Sequence, residues 1–209
     1  MQIIDNLPRE LFPTWRRAQL VVDRHARQAP PPASVLRTTG FLRPELAESV
    51  TAWFLDDAAP TGPVRRSYAA LERETARLFE IARRDLGVRV HYVDGETDPY
   101  DSAAELCAEL RERGSMTLAC DERHPLLGTT FDQLRVVHDV FGHAALGLGF
   151  DLQSEYATWL QCRTLYSPAA RPAAFCELVG AVTAYITTGE KPGLRAKLPP
   201  AELLTACEL

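Results

Sequence analysis

The chain lacks several features that would settle its class at once. It has five cysteines, Cys107, Cys120, Cys162, Cys176 and Cys207. The number is odd and no two form a Cys-x-x-Cys pair, which excludes a cysteine-built zinc or redox motif and argues against a disulfide framework. Basic charge is also short. Lys and Arg total 23 against 28 Asp and Glu, a formal net charge of -5, and no Arg-rich stripe is interleaved with aromatics. No nucleic-acid partner is therefore expected. No apolar run approaches the roughly 18 residues that a membrane span needs. The opening MQIIDNLPRE carries acids and a proline where a signal peptide needs basic and then apolar residues. These absences predict a cytoplasmic protein that engages no membrane.

What remains is an ordinary globular composition, 46% hydrophobic and 24% charged over 209 residues, enough for one domain that buries its own core and a pocket. Three stretches are expected within that domain. Residues 1–63 are broken by prolines and read as a wrapping segment, with short helices over Glu10 to Arg27 and Pro44 to Leu55 and a linker or arm at APPPAS. Residues 64–122 hold an amphipathic helix ended by Gly87, followed by a small β-α-β element in which VRVHYV and SMTLAC are the strands. His91 is read there as a partly buried strand residue. Residues 123–209 read as helices over Asp132 to Leu146, Asp151 to Tyr166 and Pro172 to Thr188. The expected fold class is mainly α, α+β with a minor sheet or hairpin.

Histidine is scarce too, five in the chain, yet two stand within six residues in RVVHDVFGHAALG. In a straight α-helix, residues five apart are separated by about 140°, so His138 and His143 would face different ways. Gly142, just before the second histidine, supplies the freedom to loosen or end the helix and let the rings meet. Two neutral imidazoles holding a divalent cation call for an anionic third ligand. Glu177, the only charged residue between Arg171 and Glu190, and Glu155, in a more polar helix, are the two candidates. The plainer reading makes the histidines packing residues and pairs the lone Glu with an arginine such as Arg135 or Arg163. Asp139 is either placed to orient a ligand imidazole or an exposed helix acid. Trp159, Phe141, Phe150, Tyr156 and Tyr166 either line an apolar pocket or belong to the core.

The segment HDVFGH resembles the His-Glu-Leu-Leu-Gly-His segment of the aromatic amino acid hydroxylases, non-heme iron monooxygenases that use tetrahydropterin. The resemblance covers residues 123–185. It implies a helical hydroxylase-like core in which His138 and His143 bind iron(II). It also implies that Glu177, in AFCELVG, is the third ligand in preference to Glu155, and that Arg123, of the pair Arg123-His124, grips a substrate carboxylate. Asp139 stands where the family has Glu, and no pterin-binding segment is recognised.

The expected function is thus a non-heme iron(II)-dependent oxygenase, a monooxygenase or hydroxylase acting on a small carboxylate-bearing molecule such as an amino acid. Dioxygen would be the cosubstrate. Electrons would come from a dissociable reductant, tetrahydropterin among them, from a redox partner or from the substrate itself. The chain would act alone or as a homo-oligomer. The competing expectations are a zinc-dependent hydrolase with Glu155 as general base, a dinuclear centre using both carboxylates, and a non-catalytic helical binding module.

Overall fold

The computed structural model describes residues 11–39, 42–95, 99–120 and 123–208. Its elements run in the order α1 (Arg16–His25), α2 (Ala33–Thr39), α3 (Pro44–Leu55), α4 (Gly62–Leu86), β1 (Arg89–Val93), α5 (Ala103–Arg113), β2 (Ser115–Ala119), α6 (Thr130–His138), α7 (Leu152–Cys162), α8 (Arg171–Phe175), α9 (Ala181–Thr188) and α10 (Ala201–Ala206). The protein is mainly helical. Its two strands pair in parallel, from Arg89 opposite Ser115 to Val93 opposite Ala119, so the strand element is β-α-β and not a hairpin. A parallel pair needs a crossover, and α5 supplies it. No helix among the described residues is long and apolar enough to cross a membrane.

The longest helix, α4, is built from the periodicity that predicts it. Tyr68, Leu71, Thr75, Leu78, Phe79, Ala82 and Leu86 all turn inward. Gly87, at φ +72°, caps its end in the left-handed conformation that glycine adopts at no steric cost. The buried face of α4 joins side chains of α1, α3, α5, β2, α6, α7 and α8 in one continuous hydrophobic cluster.

Three expectations are corrected. Glu10 lies outside the described residues, and Leu11 to Trp15 precede the first helix, which begins at Arg16, because the backbone N–H groups of Phe12 and Trp15 are taken by the carbonyls of Gly147 and Ala144, each at 2.8 Å. The arm after the prolines is partly helical: α2 seats Leu36 against Leu146, Leu148 and Ala157. His91 is exposed, since only β2 of the two strands lies under the core. The short α10 was not expected from the sequence.

Two of the three long C-terminal helical stretches contain π-helical turns, the exception being α7. Asp139–Ala144 continues α6 in this form, and Cys176–Gly180 joins α8 to α9. Such insertions are rare and concentrate at functional sites.

Candidate metal centre

The π turn answers the spacing problem posed by HDVFGH. Its i→i+5 pattern lays residues five apart over one another, which an α-helix does not do. His138, the last residue of α6, and His143, inside the π segment, therefore share a face, with their Nε2 atoms 3.0 Å apart. The helix does not end at Gly142, as the glycine's freedom would allow. Gly142 is needed for another reason. A Cβ there would lie 2.8 Å from Cβ of Thr158, so its absence lets α7 press against the π turn. Gln161, one turn further along α7, donates to the Phe141 carbonyl.

That close approach delivers the third group. Asp151 caps α7, its carboxylate accepting from the N–H groups of Gln153 (3.0 Å) and Ser154 (3.1 Å). Glu155 then falls in the first turn, where its negative charge suits the helix dipole. Glu155 Oε2 is 3.0 Å from His138 Nε2, and Oε1 is 3.4 Å from His143 Nε2. One ligand atom from each of His138, His143 and Glu155 lies within 4.8 Å of the other two, the one such group of three among the described residues.

The donor set fits a divalent cation. Nδ1 of His143 faces the Leu148 carbonyl at 3.2 Å, so in the neutral ring the proton sits on Nδ1 and the Nε2 lone pair points at the cluster. A lone pair, a second imidazole nitrogen and a carboxylate oxygen facing one another repel unless a proton or a metal stands between them. Without metal the proton fills that role. Burial alone would depress His143, but the Glu155 carboxylate beside it holds its pKa up to about 9. Burial would raise Glu155, and His143 together with His138 brings it down to about 2. His138 Nδ1 is buried without a hydrogen-bond partner among the described residues.

The cluster opens on a cavity of about 360 Å³. Phe131, Leu178, Val182 and Ile186 give the cavity apolar walls; Phe150 and Tyr185 line it and remain partly exposed. Phe150 also meets the His143 ring edge-on at 5.0 Å.

The structure corrects three site assignments made from the sequence. Glu155, and not Glu177, joins the histidines. The Glu177 carboxylate lies in another part of the same cavity wall, where its Oε1 accepts from the Tyr68 hydroxyl and faces His124 Nε2 at 3.2 Å. Arg123 is exposed and does not line the cavity; Arg135 does. Asp139 lines the cavity but makes no hydrogen bond to either ligand imidazole among the described residues, and burial lifts its carboxyl pKa against the pull of His138, His143 and Arg135. The Leu148 carbonyl does the orienting instead, a role no side-chain pattern could reveal. Of the five aromatics considered for the pocket only Phe150 lines it, while Trp159, Phe141, Tyr156 and Tyr166 are core.

Around Glu177 the geometry is equally definite. His124 Nδ1 accepts from the backbone N–H groups of Leu126 (3.1 Å) and Leu127 (3.0 Å). The neutral ring therefore carries its proton on Nε2 and donates it to Glu177. The ring is sandwiched between Tyr68 at 5.3 Å and Phe131 at 5.4 Å. Burial first, and the Glu177 carboxylate after it, raise the Tyr68 pKa well above its ordinary value, so its hydroxyl stays a donor. Neither arginine proposed as a partner reaches Glu177: Arg163 pairs with Glu208 at 3.4 Å, and Arg135 donates to the Ala119 carbonyl at 2.6 Å.

Compared with protein-family models, with characterised proteins and with solved structures, the chain matches none.

Proposed function

We propose that the protein is a non-heme iron(II)-dependent oxygenase, a hydroxylase of a small carboxylate-bearing substrate such as an amino acid, with His138, His143 and Glu155 as metal ligands. One observation carries this reading: two imidazole nitrogens and one carboxylate converge at the wall of a largely apolar cavity, with at least one ring aimed by its tautomer to offer a lone pair. Two histidines and one carboxylate are the donor set of non-heme iron oxygenases, in which iron activates dioxygen at the coordination positions the protein leaves open. The helical core would then be of the hydroxylase kind that HDVFGH resembles.

The chain's own residues supply the rest. Leu148 holds His143 in its ligating tautomer. Arg135, fixed by the Ala119 carbonyl through Nη1, keeps other N–H groups for a substrate carboxylate and takes the role expected of Arg123. Leu178, Val182 and Ile186 exclude water from the bound molecule. The reductant would be tetrahydropterin, another dissociable cosubstrate or a redox partner.

The test is anaerobic reconstitution with iron(II), followed by metal analysis and oxygen-uptake measurements. One iron per chain, with oxygen consumed in the presence of small carboxylates and not by His143→Ala, is the expected result. Tightly held zinc with hydrolytic turnover would replace this reading by that of a hydrolase. A melting temperature unmoved by iron(II) or zinc(II) would remove the metal altogether.

A further inference from the structure

The Glu177 side chain is 3% exposed and that of His124 is fully buried. A carboxylate at such depth ordinarily has a cation beside it. Here no Lys or Arg ion pair to Glu177 is present among the described residues, and the two groups that do meet it, the Tyr68 hydroxyl and His124 Nε2, do so as hydrogen-bond donors. His124 Nδ1 accepts from two backbone N–H groups, so the ring turns its Nε2–H toward Glu177. Both donors approach the same oxygen, Oε1. Oε2 takes part in none of the hydrogen bonds among the described residues, and Glu177 is part of the cavity lining. A pre-aimed acceptor with uncompensated charge thus faces a space about the size of a small molecule. Phe131 and Tyr185 line the same space, and aromatic rings favour a neighbouring cation.

We propose that Glu177, positioned by Tyr68 and His124, is the recognition site for an ammonium group, and that the cavity takes a primary amine with an apolar body. This rests on the reading of the cavity as a substrate site and adds the charge that the substrate brings to it. Glu177 is then a substrate-binding residue and Tyr68 and His124 are positioning residues. The amine nitrogen would donate to Oε2 while the apolar body lies along Leu178, Val182 and Ile186.

The test uses 2-phenylethylamine as probe and 2-phenylethanol as its uncharged counterpart, titrated calorimetrically into the full chain, metal-free and loaded with redox-inert zinc(II). The amine should bind the wild type roughly 10- to 100-fold more tightly than the alcohol, the range for one hydrogen bond to a charged group. Glu177→Gln should erase that preference, because the two donors keep the amide oxygen and turn its NH₂ toward the cavity. Zinc stoichiometry and affinity should stay as in the wild type. Equal affinities of amine and alcohol for the wild type overturn the proposal without any variant, whatever the folding of Glu177→Gln. Amine binding seen only with zinc and retained by Glu177→Gln assigns the nitrogen to the metal and also overturns it. Weakened zinc binding in Glu177→Gln makes the carboxylate a metal ligand, with the same consequence. If zinc binds neither protein while the amine preference stands, the metal-dependent reading fails and the ammonium site survives.

Discussion

Two clusters reach one cavity wall, each setting imidazole against a glutamate, and they are arranged in opposite ways. At the first, His138, His143 and Glu155 face one another with too few protons to go round. At the second, His124 and Tyr68 each hold a proton and both give it to Glu177. The difference lies in what the far side of each imidazole meets. His143 Nδ1 finds a carbonyl, which in the neutral ring takes the one proton to the back and leaves a lone pair in front. His124 Nδ1 finds two N–H groups, which put the proton in front. Backbone groups, not the identity of the side chains, decide which cluster turns a lone pair inward and which turns its proton toward a carboxylate.

The most forceful way to break the contrast is to remove one histidine from each cluster. His143→Ala should weaken metal binding by more than the roughly 10- to 100-fold that loss of a mere supporting group costs, as measured by competition with a chelating dye. His124→Ala should leave metal binding intact while costing roughly 2 to 4 kcal/mol of stability, through a void and stranded hydrogen-bond partners. Equal losses of metal from both variants would make the two clusters one site.

Gly142→Ala tests the packing beneath the first cluster. The added methyl meets Thr158 at 2.8 Å, and the overpacking should cost roughly 1 to 3 kcal/mol. Because the strain falls between the π turn and α7, it should also move Glu155 away from the histidines and lower metal affinity. Urea unfolding with and without zinc(II) reads both effects.

The pH dependence of the metal-free protein sharpens the contrast further. His143 is raised from 6.5 to about 9, so its contribution is complete below 6.5 and disappears as the pH climbs through 9. Glu155 is lowered from 4.5 to about 2, so its contribution is complete above 4.5 and disappears as the pH drops toward 2. The melting temperature should therefore sag as the pH climbs from 6.5 to about 9, and saturating zinc(II) should remove the sag, since a coordinated imidazole carries no proton on its ligating nitrogen. An alkaline sag indifferent to zinc would contradict the geometry. The smallest effect belongs to Arg123→Ala, at an exposed position away from the cavity, where a stability change within about 0.5 kcal/mol is expected.

How far the sequence could be read varied along the chain for physical reasons. The helix α4, its glycine stop, the two strands and the crossover between them all follow from local periodicity and capping. The histidine pair was legible as a pair because few other residues explain two imidazoles in an apolar run. Its geometry was not, since π turns leave no periodic trace and Gly142 invites the thought of a break more readily than of a close approach. The choice between Glu155 and Glu177 lay beyond local patterns. Each is an acid in a buried helix, and only the docking of α7 on the π turn, together with the donors waiting at Glu177, separates them. Tyr68 reads in the sequence as one more residue on the inner face of α4, and nothing but tertiary contact reveals that its hydroxyl ends on a carboxylate.

The beginning of the chain has a part in this that its proline-broken sequence conceals. Phe12 and Trp15 lend their N–H groups to Gly147 and Ala144, and Leu11 bridges to Leu148, the residue whose carbonyl steers His143. Gly147 has no room for any side chain, since a Cβ would stand 2.2 Å from the Phe12 oxygen. The N-terminal strand of backbone thus acts as a splint across the loop behind the ligand ring. Trimming this splint would leave His138, His143 and Glu155 in the chain and still let the His143 imidazole swivel, so cleavage near residue 11 belongs among the variables any metal titration has to control.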